Sequence, residues 1–308
     1  MKKLISILMV LALALGLCAV SYAEGADISG LTVTSPNGAP ALALATMAVE
    51  NKDNYAYIAA DTIAAAFADG KADFIIAPVN AGAKLYKAQK STYKLAAVVS
   101  WGNLFIASQK EDLKAEDLNG AAVTLFGENT INASVVLYAL EQNGITPEKV
   151  EYLAGAADTQ SLLLSDAKAI VVTAEPALTA AKMNNDRISA IAVNDLFRTA
   201  TGDDGYAQAG LFVKAETAET QPEAVAAFLK QAEEACGKCA TDVPAVAEAA
   251  VELEILPKAK VAEAAIPGCA IRFVSAPAAK ELVEKTVQID PAQFGGEAPA
   301  DDFYYGAE

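Results

Sequence analysis

The sequence has 308 residues, of which 54% are hydrophobic and 20% are charged, so the chain can bury one large core or two smaller ones. Its 39 acidic and 23 basic side chains give a formal net charge of −16, which disfavours binding to nucleic-acid phosphates. It contains no histidine. That composition excludes histidine-containing catalytic triads, histidine-ligated zinc or haem, and the commonest general base.

The N-terminus has the pattern of an export signal. Lys2 and Lys3 precede the apolar residues 4–20, and Ser21-Tyr22-Ala23 provides the small residues of a cleavage site before Glu24. The apolar run is short for a retained transmembrane helix. We therefore expect residues 1–23 to be a cleaved signal peptide and the mature protein to be exported.

A second processing site overlaps the first. Leu15-Gly16-Leu17-Cys18 resembles a bacterial lipobox, in which Cys18 would carry a lipid. Leu17 is larger than the Gly or Ala usual before that cysteine, so cleavage after Ala23 is preferred. The protein is then either soluble outside the cytoplasm, as in the periplasm, or tethered through Cys18 to the extracytoplasmic face of the membrane.

Short β-branched runs alternate with Ala-rich stretches from residue 30 onward. One series predicts strands at 31–34, 55–58, 73–77 and 93–99, with helices at 41–50 and 62–68 and another after Asn80. A second series predicts strands at 121–126, 150–153 and 169–173, with helices at 131–141, 160–164 and 175–182. Strands separated by helices favour an α/β fold with right-handed crossovers and mostly parallel sheets.

The rest of the chain has a different pattern. Strands are predicted at 188–193, 209–213 and 271–274, with a polar stretch at 199–204, and helices at 223–235, 243–253, 258–265 and 278–286. No Ser/Gly-rich linker divides the chain after residue 23. We therefore expect the C-terminal third to wrap back onto the first series.

The two series echo each other in sequence. Asp61 and Asp69 have the same spacing as Asp158 and Asp166, and in both series a proline follows the next strand. Coincidence in an Ala-rich sequence is one explanation. We interpret the echo as two lobes of one α/β design, with strand-to-helix turns that face each other. Such turns lie at the carboxyl ends of parallel strands, where α/β proteins form ligand sites.

The first such turn contains Ser35, Asn37, Gly38 and Ala39. Gly38 permits positive φ, and Pro40 suits the first turn of a helix whose N-terminal N–H groups have no internal acceptor. This combination can hold a carboxylate, sulfonate or carbonyl oxygen. It is not a nucleotide-binding P-loop, because no Lys-Ser or Lys-Thr follows it. An ordinary strand-to-helix turn would have the same residues.

Other turns add polar or aromatic candidates. Asn80 and the pair Asn129-Thr130 follow predicted strands, although Thr130 could simply cap a helix. Trp101, the single tryptophan, either packs in the core or stacks on a ligand ring or cation. Glu175 starts a predicted helix, where it caps the helix or binds a ligand amine.

Arginine does not contribute to these turns. The three arginines are Arg187, Arg198 and Arg272, and none falls on a predicted turn of the cleft. A bidentate arginine clamp for an anion is therefore not evident. We expect a ligand with a polar or anionic end on helix N-termini and a planar or apolar body near Trp101.

Cys236 and Cys239 have the spacing of a redox dithiol. Redox dithiols lie at a helix N-terminus, where the helix dipole stabilises the thiolate. Here the helical pattern precedes Cys236, so we expect this residue at the end of a helix, where the thiolate is not favoured. A structural disulfide between Cys269 and either Cys236 or Cys239 is the preferred prediction, because it would close a loop of useful length.

The order of these turns, together with the export signal, resembles the extracytoplasmic solute-binding proteins of ABC importers. The similar group includes the nitrate, sulfonate and taurine binding proteins and the thiamine-pyrimidine binding proteins. Further residues that carry the resemblance are Asp117-Leu118-Asn119-Gly120, Ile266-Pro267-Gly268-Cys269, Gly295-Gly296 and Asp301-Asp302-Phe303-Tyr304-Tyr305. The resemblance covers essentially the whole chain after residue 23.

This resemblance implies a type II periplasmic-binding fold, with two α/β lobes, a central cleft and two crossing segments near 104–110 and 196–205. Lobe 1 would comprise residues 24–104 and 205–308, and lobe 2 residues 105–204. It implies a small-molecule ligand, an ABC permease as partner, a monomer, and no cofactor, metal or nucleic acid. The ligand-facing residues would be Ser35, Asn37, Gly38, Ala39, Asn80, Trp101, Asn129, Thr130 and Glu175.

Two alternatives remain at this point. One is an exported enzyme that uses carboxylates such as Glu128 and Glu175, and the other is a ligand-binding module for a sensor receptor. One branch of the family resembles pyrimidine synthases that consume an active-site histidine. This chain has no histidine and departs from that pattern.

Overall fold

The computed structural model describes residues 26–307. The expected signal peptide at 1–23 and the lipidation residue Cys18 lie outside the described residues. Within 26–307, no helix combines the length and the apolar character that crossing a membrane requires.

The strands of residues 26–307 form two separate sheets. In chain order they are β1 (Val33–Pro36), β2 (Tyr55–Ile58), β3 (Phe74–Pro78), β4 (Tyr93–Ser100), β5 (Leu104–Ser108), β6 (Ala122–Phe126), β7 (Lys149–Leu153), β8 (Ile170–Ala174), β9 (Ser189–Ala192), β10 (Ala209–Lys214) and β11 (Ile271–Ser275). The first sheet has the order β11-β4-β10-β3-β1-β2 and the second β7-β6-β8-β5-β9. We call the part of the molecule around the first sheet lobe 1 and the part around the second sheet lobe 2.

Helices connect and cover these strands. In chain order they are α1 (Ala45–Ala48), α2 (Ile63–Asp69), α3 (Val79–Lys87), α4 (Ile131–Gln142), α5 (Ala156–Ser165), α6 (Ala177–Asn184), α7 (Val193–Thr201), α8 (Ala215–Thr220), α9 (Pro222–Thr241), α10 (Val243–Glu252), α11 (Ala259–Ala265) and α12 (Ala276–Ile289). Short 3₁₀ segments include Ala39–Leu44, Ile266–Cys269 and Pro291–Phe294. The helix expected at 41–50 is therefore a 3₁₀ segment followed by the short α1.

The two sheets repeat one topology. The order β2-β1-β3-β10-β4 in lobe 1 corresponds to β7-β6-β8-β5-β9 in lobe 2. The first three strands of each set pair in parallel, and the fourth is antiparallel to its neighbours. The sequence echo thus corresponds to a structural repeat. The expectation of mostly parallel sheets is wrong for β5, β10 and β11, which pair antiparallel with their neighbours. β5 and β10 do so because each enters its sheet directly from the other lobe.

Both lobes are layered, with helices on the two faces of each sheet. In lobe 1, Phe228 of α9 stacks on Phe74 of the sheet with ring centroids 3.9 Å apart. On the opposite face, Phe67 of α2 meets Phe212 edge-on at 5.3 Å. α9 keeps the apolar spacing of a helix that buries one face along its length. These packed layers hold the strand ends, and the turns that follow them, in fixed positions.

Two connections join the lobes. The chain passes from β4 to β5 through Trp101-Gly102-Asn103 and returns from α7 to β10 through residues 202–208. The crossing segments expected at 104–110 and 196–205 are displaced, because 104–108 is a strand and 193–201 a helix. Gly205 has φ +146°, and a Cβ atom there would collide with the Trp101 carbonyl oxygen. The two connections therefore touch through their backbones.

The expected disulfide is absent. Cys236, Cys239 and Cys269 are free and buried among the described residues. Helix α9 continues to Thr241, so Cys236 lies inside the helix and not at its end as expected. The Cys236 thiol donates to the Ala43 carbonyl at 3.4 Å and the Cys239 thiol to that of Leu42 at 3.7 Å. Burial raises the pKa of Cys239 to about 12, so its thiol stays protonated.

Candidate ligand-binding site

A cavity of 560 Å³ lies between lobe 1 and lobe 2. Lobe 1 and its returning strand contribute Pro36, Asn37, Gly38, Ala39, Pro40, Ala60, Ile63, Pro78, Asn80, Ala81, Gln208 and Ala209. The first connection and lobe 2 contribute Asn103, Phe126, Thr130, Ile131, Asn132, Ala156, Ala174, Glu175 and Pro176, and the C-terminal segment contributes Gln293. We call this cavity the cleft.

Helical segments from both lobes begin at the cleft wall. They are the 3₁₀ segment at Ala39, and α3, α4, α5 and α6. Each follows a parallel strand, so the repeated topology brings these starts together. The first turn of a helix has N–H groups without an intrahelical acceptor and a partial positive charge. The cleft wall therefore offers backbone donors from both lobes.

Lobe 1 presents two carboxamides to the cleft. The Asn37 side-chain oxygen accepts from the Gly38 N–H at 2.9 Å, which fixes the turn after β1. Gly38 has φ +106°, a conformation that favours glycine. The Asn80 Oδ1 atom is buried and has no hydrogen-bond partner among residues 26–307. A buried acceptor without a donor is costly, so a ligand donor that reached this atom would remove that cost.

A hydrogen-bond network forms the floor of the cleft and links the lobes. Gln208 accepts from the Ser100 hydroxyl at 3.0 Å and donates to the side-chain oxygens of Asn103 at 2.9 Å and Asn132 at 3.3 Å. The Tyr206 hydroxyl also donates to the Asn132 oxygen at 2.8 Å. Two donors thus meet Asn132 Oδ1, which leaves its amide N–H₂ group as the part of this side chain available for a ligand.

Glu175 places a buried carboxyl in the cleft wall, with a side chain 7% exposed. Its Oε2 accepts from the Thr179 N–H at 3.0 Å and its Oε1 from the Thr179 hydroxyl at 2.9 Å. Burial raises the pKa of this carboxyl above its ordinary value, and the Thr179 bonds and Lys182 partly oppose that shift. The residue therefore both caps α6 and retains acceptor capacity.

The C-terminal segment also reaches across to lobe 2. Gln293 donates to the Asn129 carbonyl at 2.9 Å, and Asp290 accepts from the Ser134 hydroxyl at 2.7 Å. Gln293 lines the cleft as well. The end of the chain therefore closes one side of the space between the lobes.

Six of the nine expected ligand-facing residues line the cleft: Asn37, Gly38, Ala39, Asn80, Thr130 and Glu175. Thr130 also caps α4, since its hydroxyl oxygen accepts from the Ala133 N–H. Ser35, Trp101 and Asn129 are not among the lining residues. The buried Ser35 hydroxyl donates to the Pro36 carbonyl at 3.0 Å, and the Asn129 carbonyl is bonded to Gln293.

Trp101 belongs to the core, with 1% of its surface exposed. Its indole N–H donates to the Arg272 carbonyl at 2.9 Å, and the Arg272 guanidinium carbon lies 4.5 Å from the ring centroid. The ring thus stacks on the guanidinium of Arg272 and not on a ligand cation. The structure does not support the expectation that the planar or apolar part of the ligand lies near Trp101.

Sequence reasoning missed Asn103, Asn132, Gln208 and Gln293. Asn132 lies on the first turn of the predicted helix after Thr130, so its position could have signalled a role. Asn103 and Gln208 become neighbours only when the two connections meet, and they are far apart in the chain. Gln293 carries no local signal, since its place depends on how the C-terminal segment crosses to lobe 2.

Comparison with known proteins places this architecture in a family. A family model described as NMT1/THI5 like matches residues 60–245, more than half of the chain. The chain belongs to the NMT1/THI5-like family. A search of curated protein sequences gives no match.

Solved structures share the fold of this NMT1/THI5-like protein. An ABC transporter protein from Parabacteroides distasonis superposes with a TM-score of 0.77 at 22% identity, covering 90% of this chain and 99% of that chain. The aliphatic sulphonate binding protein SsuA from Escherichia coli gives 0.68 at 15% identity, with 90% and 92% covered. SsuA from Xanthomonas axonopodis pv. citri, bound to MOPS, gives 0.59 at 13% identity, with 85% and 92% covered. These likenesses establish the periplasmic-binding fold.

Proposed function

We propose that this protein is the solute-binding component of an ABC importer. It would be exported, capture a small organic molecule between its lobes and deliver it to a membrane permease. The observation that carries the proposal is the cleft between two topologically matched lobes that are joined by two connections. The family membership and the export pattern in the sequence support the same function.

Ligand capture would follow from closure of the lobes. A molecule that bonds to Asn80 on lobe 1 and to Asn132 or Glu175 on lobe 2 stabilises the arrangement in which both sets of groups meet it. Binding energy that depends on both lobes shifts the population toward the closed form. A permease that recognises the closed form would then distinguish loaded from empty protein.

The chemistry of the cleft supports binding without turnover. Among the lining residues that the structure describes, Glu175 is the one with an ionisable side chain. Glu128, the second carboxylate of the enzyme alternative, is exposed and does not line the cleft. General acid–base catalysis by two carboxylates needs both at the substrate, so this arrangement favours a carrier over a hydrolase.

The test is a search for the bound molecule. Mature protein from its native source, analysed by native mass spectrometry, should carry a small molecule, and a panel of metabolites should include compounds that raise its Tm. Small-angle scattering should show a smaller radius of gyration with such a compound. An absence of co-purified molecule and of any stabilising compound would contradict the proposal.

A further inference from the structure

We propose that the cleft selects ligands that present N–H donors to Glu175 and Asn80, and that it excludes compounds whose polar group is only an anion. This inference rests on the proposed function and names the ligand class. The two SsuA proteins that share this fold are sulfonate-binding proteins. The side chains that line this cleft favour a ligand of a different chemical class.

The charge of the cleft is the first argument. No lysine or arginine occurs among its lining residues in the described part of the chain, and Glu175 contributes a carboxyl. Lys182 acts on Glu175 from α6, the helix that follows it, and Cys269 is a neutral thiol on the 3₁₀ segment that packs against Glu175. An anion beside this carboxyl group would find no cationic side chain in the wall, so only the N–H groups of the helix starts would offset its charge.

The surroundings of Glu175 are the second argument. A Cβ atom built on Gly268 of lobe 1 would lie 2.9 Å from the Glu175 Cγ and 3.2 Å from its Oε1. Backbone of lobe 1 thus covers one side of this lobe 2 carboxyl, and the cleft lies on its exposed side. A charge buried at this position needs a partner, which a ligand N–H or ammonium group supplies.

The hydrogen-bonding capacity of the wall is the third argument. A carboxylate accepts about four hydrogen bonds, and Thr179 donates two to Glu175. Asn80 Oδ1 is a buried acceptor without a donor in residues 26–307. Each lobe therefore contributes a cleft-lining residue with unused acceptor capacity. A sulfonate has acceptors alone, so it would leave Asn80 Oδ1 without a donor and would add none to Glu175.

The other residues that line the cleft indicate which further groups the ligand should have. Asn132 keeps an N–H₂ donor for one ligand acceptor, because both bonds to its oxygen come from the protein. Ile63, Phe126 and Ile131 supply apolar surface on both sides. The matching class is a small molecule with an apolar or planar body that carries an amide, amidine or amine edge.

The experiment combines matched test compounds with matched variants. Thermal-shift measurements near neutral pH compare benzamidine, benzamide, benzenesulfonate and ethanesulfonate within a wider metabolite panel. Calorimetry then measures the best stabilising compound against Glu175→Gln. The control is Glu128→Gln, the same change at an exposed carboxylate of lobe 2 outside the cleft.

We expect the stabilising compounds to carry N–H donors and the two sulfonates to have no effect. Glu175→Gln should weaken binding by roughly tenfold or more, whereas Glu128→Gln should not change it. Stabilisation by sulfonates, or an affinity unchanged by Glu175→Gln, would overturn the inference and leave the carrier function intact. If nothing binds the wild-type protein, the proposed function itself fails.

Discussion

The turn after β3 and the turn after β8 occupy the same place in the two lobes, yet they present different groups to the cleft. Each follows the third parallel strand of its sheet and begins a helix, α3 in lobe 1 and α6 in lobe 2. Lobe 1 presents the neutral Asn80 amide, with its oxygen unpartnered, and lobe 2 presents the Glu175 carboxyl, bonded to Thr179.

This difference separates two roles that one repeated backbone performs. The repeat supplies paired helix starts and hence a cleft with donors on both sides. The side chains at equivalent turns break the symmetry and define which ligand fits. Changes in the backbone between the lobes should therefore affect stability, and changes at the two turns should affect binding.

The largest effect is expected at the connection that holds the two turns opposite each other. Gly205→Ala places a Cβ against the Trp101 carbonyl oxygen at φ +146°, so we expect a loss of about 3 kcal/mol in the free energy of unfolding. Gly202→Ala is the control, since Gly202 has φ +80° and open space around it, and should cost about 1 kcal/mol. Urea denaturation measures both, and equal losses would show that the close approach of the connections is unimportant.

The next largest effect is expected on stability when Trp101 is replaced. The sequence analysis placed this residue in the cleft, whereas the structure places it in the core. Trp101→Phe removes the bond to the Arg272 carbonyl and part of the buried ring, so we expect about 2 kcal/mol of destabilisation. Ligand affinity should be unchanged by calorimetry at a temperature where the variant is folded. Weakened ligand binding with unchanged stability would indicate that Trp101 contacts the ligand.

Removing the Asn80 side chain, which lobe 1 presents to the cleft, should weaken ligand binding without destabilising the protein. Asn80→Ala deletes a buried acceptor that has no partner in the described chain, so the Tm of the empty protein should not fall. Affinity for an N–H donor ligand should drop about tenfold, or about 1.4 kcal/mol. Asn51→Ala, at an exposed position of lobe 1, is the control. A fall in Tm with unchanged affinity would make Asn80 a structural residue.

The smallest expected effect is a pH dependence of the Tm, caused by Glu175 in lobe 2. Burial raises the pKa of Glu175, so its contribution to stability is present below about 4.5, the ordinary value, and is lost as pH rises through the raised pKa. Gln is neutral at every pH. Ligand-free Glu175→Gln should therefore have a higher Tm than wild type near pH 8, and the difference should vanish in acid. A difference independent of pH would contradict this account.

Local sequence signals were sufficient for much of the fold and for part of the site. The alternation of strands and helices predicted most elements, because hydrophobic spacing and turn residues act locally. Asn37, Asn80, Thr130 and Glu175 were found for the same reason, since each directly follows or ends a strand-to-helix turn. The direction of pairing of β5 and β10 was not predictable, because these strands run against their neighbours as a result of the crossing between lobes.

The remaining errors share a physical cause: they concern contacts between distant segments. Trp101 is buried in the main hydrophobic core and Arg272 packs over its ring, and no residue near Trp101 in the sequence indicates these contacts. Gln208 and Asn103 meet on the cleft floor only in the folded molecule. The disulfide prediction failed because α9 is longer than its apolar pattern suggested and holds both thiols against backbone carbonyls.

The position of β10 has a consequence for the order of folding. This strand lies between β3 and β4, although about a hundred residues of chain, including all of lobe 2, separate it from them. Lobe 2 is one continuous segment and can fold from local contacts, whereas lobe 1 must wait until β10 is available to fill its centre. The cleft is therefore among the last parts of the molecule to form, and a chain truncated before Ala209 would leave a gap in the first sheet.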